Sequence, residues 1–155
     1  MTNTTDIFAT LASVVGYELA DDVAVDSFDI LPVLIGKQSE DEPVRPHMLT
    51  QSFRSEFQLR VGNWKYLDHK GSGGNPYDKG ILKKYALPEK APEATGQLYD
   101  LESDPGETTN LYFKESERRE QMQALLKRLT AEGGRTAPEG RKPMGMSKIP
   151  LIKGE

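Results

Sequence analysis

Two short alternating runs separated by Gly62-Asn63 leave this chain few folds to choose from. Phe57, Leu59 and Val61 alternate with Gln58 and Arg60, the two-residue period of a strand with one buried face. Trp64, Tyr66 and Asp68 then alternate with Lys65 and Leu67, so an antiparallel hairpin closed by a two-residue turn is predicted. A third run, Gln97-Leu98-Tyr99-Asp100-Leu101, stops at Asp104-Pro105-Gly106. Proline presets φ there, and Gly106 is expected to take the left-handed region. His47 to Gln51 reads as a further strand at the start of the sheet. Downstream, Met122, Leu125, Leu126 and Leu129 form a stripe at helical spacing, predicting a helix from Ser116 to Glu132 laid across one sheet face. The fold class is therefore α+β, a small antiparallel sheet of about four strands covered by a C-terminal helix.

At 155 residues the chain is one ordinary domain at most, or the end of a larger one. Its 24 acidic and 20 basic residues give a net charge of −4, which argues against nucleic acid as a partner. The absence of cysteine removes disulfides, thiolate metal sites and cysteine nucleophiles. No run approaches the roughly 20 apolar residues a membrane span requires, so no membrane partner is expected. Met1-Thr2-Asn3-Thr4-Thr5-Asp6 has neither the basic start nor the apolar core of a signal peptide.

Ahead of the sheet, Ile7, Leu11, Val14 and Val15 predict an amphipathic helix that is capped by Thr5 or Asp6 and stops at Gly16. Asp26-Ser27 is expected to open a second, short helix through Phe28, Ile30, Leu31 and Leu34 to Gly36. Pro32 keeps it short or kinked. The polar run from Gln38 to Glu42 is the best boundary between domains. Residues 69–94 read as a long irregular loop containing Gly71-Ser72-Gly73-Gly74-Asn75. From Gly133 onward the composition is that of a flexible, basic tail.

Arg60-x-Gly62-x-Trp64-Lys65, followed by Leu98-Tyr99-Asp100-Leu101-x-x-Asp104-Pro105-Gly106-Glu107-Thr108-x-Asn110-Leu111, resembles the C-terminal subdomain of the type I, arylsulfatase-like sulfatases. Asp6-Ile7-x-x-Thr10-Leu11 with Gly16, and Asp26-Ser27 with Leu31-Pro32-x-Leu34-x-Gly36, resemble the last helical segments of the large α/β domain of that family, which is alkaline-phosphatase-like. The resemblance implies three segments: residues 1–42 ending the large domain, 43–134 forming the C-terminal subdomain, and 135–155 as tail. It also implies a formylglycine-dependent sulfuric ester hydrolase acting on a sulfated small molecule or glycan. Calcium is the cofactor expected in the complete enzyme, and an exported, periplasmic or secreted, location goes with it. The partner it implies is an N-terminal catalytic domain, because no formylglycine motif lies in this chain. The chain itself is expected to contribute no catalytic residue, no metal ligand and no cofactor, and so to be incompetent alone.

The candidate substrate-binding residues are Gln51, Ser52 and Arg54. The resemblance places this run over the mouth of the active site. Ser52 matches, Gln51 stands where many relatives carry histidine, and Arg54 is an added cation able to grip a sulfate with two N–H groups. The Gly71 to Asn75 run is a second candidate rim. Asp21-Asp22 and Glu40-Asp41-Glu42 read as solvated connectors, and His47 and His69 as solvated side chains. Trp64, Tyr66 and Tyr99 are expected to pack beneath a helix, while Arg60 is expected to be exposed or fixed by Asp100. The rival reading is a non-catalytic binding module or truncated remnant. A self-sufficient module should bury Ile7, Leu11 and Val15, whereas an orphaned half-fold should expose them.

Overall fold

The computed structural model describes residues 1–52, 54–71 and 77–131. The predicted basic tail and the glycine run beyond Gly71 lie outside them. Two compact units result, Met1–Arg45 and Pro46–Gly134 in their described parts.

In the first unit α1 spans Asp6–Val14 and α2 spans Leu31–Leu34. Both end the same way. Gly16 and Gly36 take φ of 69° and 67°, and the N–H of the following residue reaches back to Ala12 O and Pro32 O at 2.8 Å. Only glycine adopts this left-handed C-terminal position without strain. The first helix starts where expected but without its side-chain cap, and the second does not start where expected. Thr5 and Asp6 make no capping bond to the first turn of α1; instead Ser27 Oγ accepts the Ala9 N–H at 2.8 Å. The second helix opens at Leu31, not at Asp26, since Asp26-Ser27 lies in the preceding turns and Asp29 Oδ1 accepts the Leu31 N–H. Pro32 sits in the first turn, where its missing N–H costs nothing.

The buried side of α1 is Asp6, Ala9 and Thr10. The Asp6 carboxylate receives the Arg45 guanidinium on both oxygens, with Nε at 2.9 Å from Oδ2, and also the N–H groups of Asn3 and Phe28. Arg45 goes on to Asp26 O at 2.7 Å and lies 4.4 Å over the Phe28 ring. Thr10 donates to Asp6 O and accepts from the Ile30 N–H. The apolar stripe of α1 points the other way: Ile7, Leu11, Val14 and Val15 are 54%, 59%, 59% and 75% exposed.

The second unit contains the sheet: β1 Met48–Gln51, β2 Phe57–Val61, β3 Trp64–Leu67 and β4 Gln97–Asp100, antiparallel throughout in the order β1-β2-β3-β4. Val61 pairs with Trp64 across Gly62-Asn63. Gly62 has φ of 55° and Asn63 is not among the positive-φ residues, which explains why the glycine comes first. The register puts Leu49, Leu59, Tyr66 and Leu98 in one row across all four strands. Against that face α3, Ser116–Ala131, buries Met122, Leu126 and Leu129. Each such side chain contributes roughly 1.5–3 kcal/mol through removal from water. Trp64 packs at the rim of this core, with the Arg118 guanidinium 5.2 Å from its ring.

Tyr99 departs from expectation. It pairs with Lys65, not Tyr66, and therefore lies on the sheet face away from α3, although it too is buried. The long connection between β3 and β4 is not wholly irregular either, for Gly80–Tyr85 forms a 3-10 helix. Arg60 Nε donates to Gly62 O at 3.1 Å, not to Asp100, whose carboxylate instead accepts from Glu102 N and Ser103 Oγ.

In the Asp-Pro-Gly turn the left-handed residue is Glu107, at φ 54°, not Gly106. A side chain in this region is strained by roughly 1–2 kcal/mol. Glu107 is held there by Lys65 Nζ, which lies 2.7 and 2.8 Å from its two oxygens. Glu107→Ala keeps the strain and loses the ion pair, whereas Glu107→Gly loses both. The alanine variant is expected to melt lower than the glycine one, by about 1 kcal/mol in urea titrations followed through Trp64 fluorescence.

Candidate substrate-facing site

The three candidate residues fall at the end of β1 and in the connection to β2. Gln51 closes the strand opposite Phe57 and is exposed. Ser52 organises the turn into β2. Its N–H donates to Glu56 O at 2.8 Å and its carbonyl accepts the Ser55 N–H at 3.0 Å. Its hydroxyl accepts the N–H groups of Arg54 (3.2 Å) and Glu56 (3.4 Å), and donates to Glu56 Oε2 at 3.1 Å. Ser55 takes φ of 63°, which lets the chain reverse in so few residues. Hence Ser52 is committed to holding the turn, while Gln51 and Arg54 are exposed at its surface.

His69 is not solvated. It is 8% exposed, with Nδ1 3.1 Å from Lys70 O and 3.9 Å from Glu56 Oε2. Its carbonyl and that of Gly71 both accept from Gln97 Nε2, at 2.9 and 2.7 Å. Gln97 Oε1 in turn accepts the Tyr99 hydroxyl at 2.7 Å. Burial, with Glu89, Glu107 and Asp104 adding negative charge, pushes the Tyr99 phenol up to about 12. It therefore stays a hydrogen-bond donor at neutral pH and is unsuited to proton abstraction. Gly71 has φ of 74°, and the glycine run that it opens lies outside the described residues.

The downstream motif is an anchoring device. Asp104 Oδ2 accepts the Thr109 N–H at 2.8 Å and Oδ1 accepts the Thr108 hydroxyl at 3.1 Å. Hydrogen bonds from Thr108 and Thr109 hold its carboxyl below the usual range. Asn110 bridges β4: its Oδ1 accepts from Leu98 N and Tyr112 N at 3.1 Å, and its Nδ2 donates to Gly96 O at 3.2 Å. Nothing in the spacing of these residues distinguishes such anchors from catalytic ones.

Between sheet and α3 a groove of about 300 Å³ opens among Phe57, Tyr66, Asp68, Gln123 and Lys127. Among the described residues no group of three or more His, Asp or Glu side chains converges as a metal site requires. A hard cation such as calcium needs six to eight oxygen ligands at about 2.3–2.6 Å, and the described residues do not assemble such a set. No helix among them is long and apolar enough to cross a membrane.

No family model matches the sequence. The chain is 31% identical over 121 residues to an N-acetylgalactosamine-6-O-sulfatase of Bacteroides thetaiotaomicron, covering 78% of this chain and 22% of that protein. A solved sulfatase structure from work on the metabolism of multiple glycosaminoglycans by the same organism is 28% identical. It superimposes with a TM-score of 0.60 over 81% of this chain and 24% of that one. A candidate sulfatase of Bacteroides thetaiotaomicron, 19% identical over 84% of this chain and 25% of its own, shares the fold with a TM-score of 0.56. The fold is thus that of the sulfatases, whose architecture is alkaline-phosphatase-like. Within that class the chain corresponds to the C-terminal portion and spans between 22% and 25% of the length of these relatives.

Proposed function

We propose that the chain is the C-terminal part of a sulfuric ester hydrolase, closing one side of the active-site cleft and shaping substrate choice. Gln51, Ser52 and Arg54 form one rim, with the Gly71 to Asn75 run as the second. The formylglycine and the calcium ion lie in an N-terminal catalytic domain, the partner of this segment. The observation that carries this reading is the exposed stripe of α1, with Ile7, Leu11, Val14 and Val15 all more than half exposed. A stand-alone module would bury such a stripe, while a segment made to dock on a larger α/β domain presents it. The substrate class follows from the relative named for N-acetylgalactosamine-6-O-sulfate chemistry: a sulfated glycan, met at the rim by the Arg54 guanidinium and the Gln51 amide. The segments 1–42, 43–134 and 135–155 keep their proposed roles as domain end, subdomain and tail.

Capture of the native product with an antibody against residues 104–111, followed by intact mass measurement, should find a polypeptide several times heavier than 17.3 kDa. A product of 17.3 kDa overturns the proposal. In the complete enzyme, Arg54→Ala is expected to raise KM for N-acetylgalactosamine 6-sulfate about tenfold with kcat little changed, as loss of a ground-state contact does. An unchanged KM removes Arg54 from the rim.

A further inference from the structure

Two elements of the proposed rim meet at one buried imidazole. The His69 ring lies 3.9 Å from Glu56 Oε2, and that same oxygen holds the Ser52 hydroxyl at 3.1 Å. Ser52 in turn fixes the Arg54 N–H. From the opposite side, Gln97 takes the backbone carbonyls of His69 and Gly71 and is itself oriented by Tyr99. Neighbouring groups therefore run from Tyr99 through Gln97 to the His69 backbone, and from the His69 ring across 3.9 Å to Glu56, Ser52 and Arg54. Gln97 and Tyr99 are both buried and polar, and this chain of contacts is where their bonds go. Hydrogen-bonded groups of this kind hold one another in place, and removing a member loosens its neighbours.

We propose that His69 is a positioning residue that couples the Ser52–Arg54 turn to the segment entering the glycine run, so that Arg54 and Gly71 are held in register. The proposal rests on the reading of these two elements as cleft rims for its functional meaning, and on contacts within the second unit for its mechanics. Asp68 Oδ1 accepts the Phe57 N–H at 2.9 Å, and the Lys70 ammonium is turned to Pro92 O at 2.8 Å.

Residue-resolved amide hydrogen exchange on the full chain tests this without any substrate. In Gln97→Ala, exchange at Arg54 and Glu56, whose hydrogen bonds do not involve Gln97, is expected to quicken about tenfold, with Leu59 and Tyr66 unchanged. Unchanged exchange at Arg54 and Glu56 overturns the coupling. Should Leu59 and Tyr66 also quicken, the decision falls to His69→Ala, in which Arg54 and Glu56 are expected to quicken while Leu59 and Tyr66 hold; unchanged Arg54 and Glu56 there overturn the proposal. Failure here leaves the kinetic test of Arg54 standing, and failure of that test leaves the coupling standing.

Discussion

Arg45→Ala is expected to cost about 3–5 kcal/mol in the first unit, because it strands a carboxylate that the fold keeps from water. Asp6 is fully buried and Arg45 is 1% exposed. The guanidinium also ties Thr5 Oγ1 at 3.3 Å and Asp26 O at 2.7 Å, so its loss releases α1 and the turn before α2 together. Against a typical domain stability of about 5–15 kcal/mol this is a large fraction. The single tryptophan, Trp64, is in the sheet and reports the other unit. Amide exchange at Ala9 and Ile30, whose N–H groups sit on Ser27 and Thr10, is the suitable measurement.

The same pair gives the first unit an acid limit. Burial pushes the Asp6 carboxyl up, but hydrogen bonds from Arg45, Phe28 and Asn3 outweigh it, and the net displacement is downward from 3.8. A carboxyl depressed in the folded state stabilises fully above its unfolded value, and that contribution is lost as pH falls through the folded one. Protection at Ala9 should therefore hold near neutrality and collapse below about pH 4. Asp6→Asn should lower it at neutral pH and flatten its dependence on acid.

Asn110→Ala is expected to destabilise the sheet unit by about 2–4 kcal/mol, since each partly buried N–H left without an acceptor costs roughly 1–3 kcal/mol. The Asn110 side chain serves Leu98 N, Tyr112 N and Gly96 O at once, and the adjacent Leu111 N–H bonds Leu98 O at 2.8 Å. This stitching seats Tyr112 against the core, where its hydroxyl meets Thr95 at 2.8 Å. Asn110→Asp keeps the acceptor for both N–H groups but turns a carboxylate oxygen toward Gly96 O in place of the donor, so it should fall between parent and alanine. Urea denaturation followed through Trp64 gives the order directly. Equal midpoints for parent and alanine would show that water replaces the amide without loss.

The strands, the hairpin turn and α3 were legible in the chain because each rests on a local rule. Alternation in 57–61 and 64–67, Gly62 at the one position needing positive φ, and the 122-126-129 stripe all act within a few residues. The family motifs were legible too, but not what their members do. Asp6 and Asp104 look alike as acids beside a turn. One is paired with a guanidinium 39 residues away, and the other clamps N–H and O–H groups within five residues.

The candidate site divides along the same line. Local pattern and family resemblance pointed to Gln51, Ser52 and Arg54. The role of Ser52 in shaping the turn, and the presence of Glu56 and His69 behind it, required strands β2 and β3 to be paired. The solvated reading of His69 failed because β4 brings Gln97 over its backbone. Tyr99 lies away from α3 because the register pairs it with Lys65, and Glu107 displaces Gly106 from the left-handed position where Lys65 can hold it. The sequence by itself determined which segments become strands and helices, since periodicity and turn chemistry are short-range. Only the tertiary structure decided which face of α1 is buried, which polar groups are paired, and where the imidazole goes. Those choices depend on partners far apart in the chain, and no local pattern encodes them.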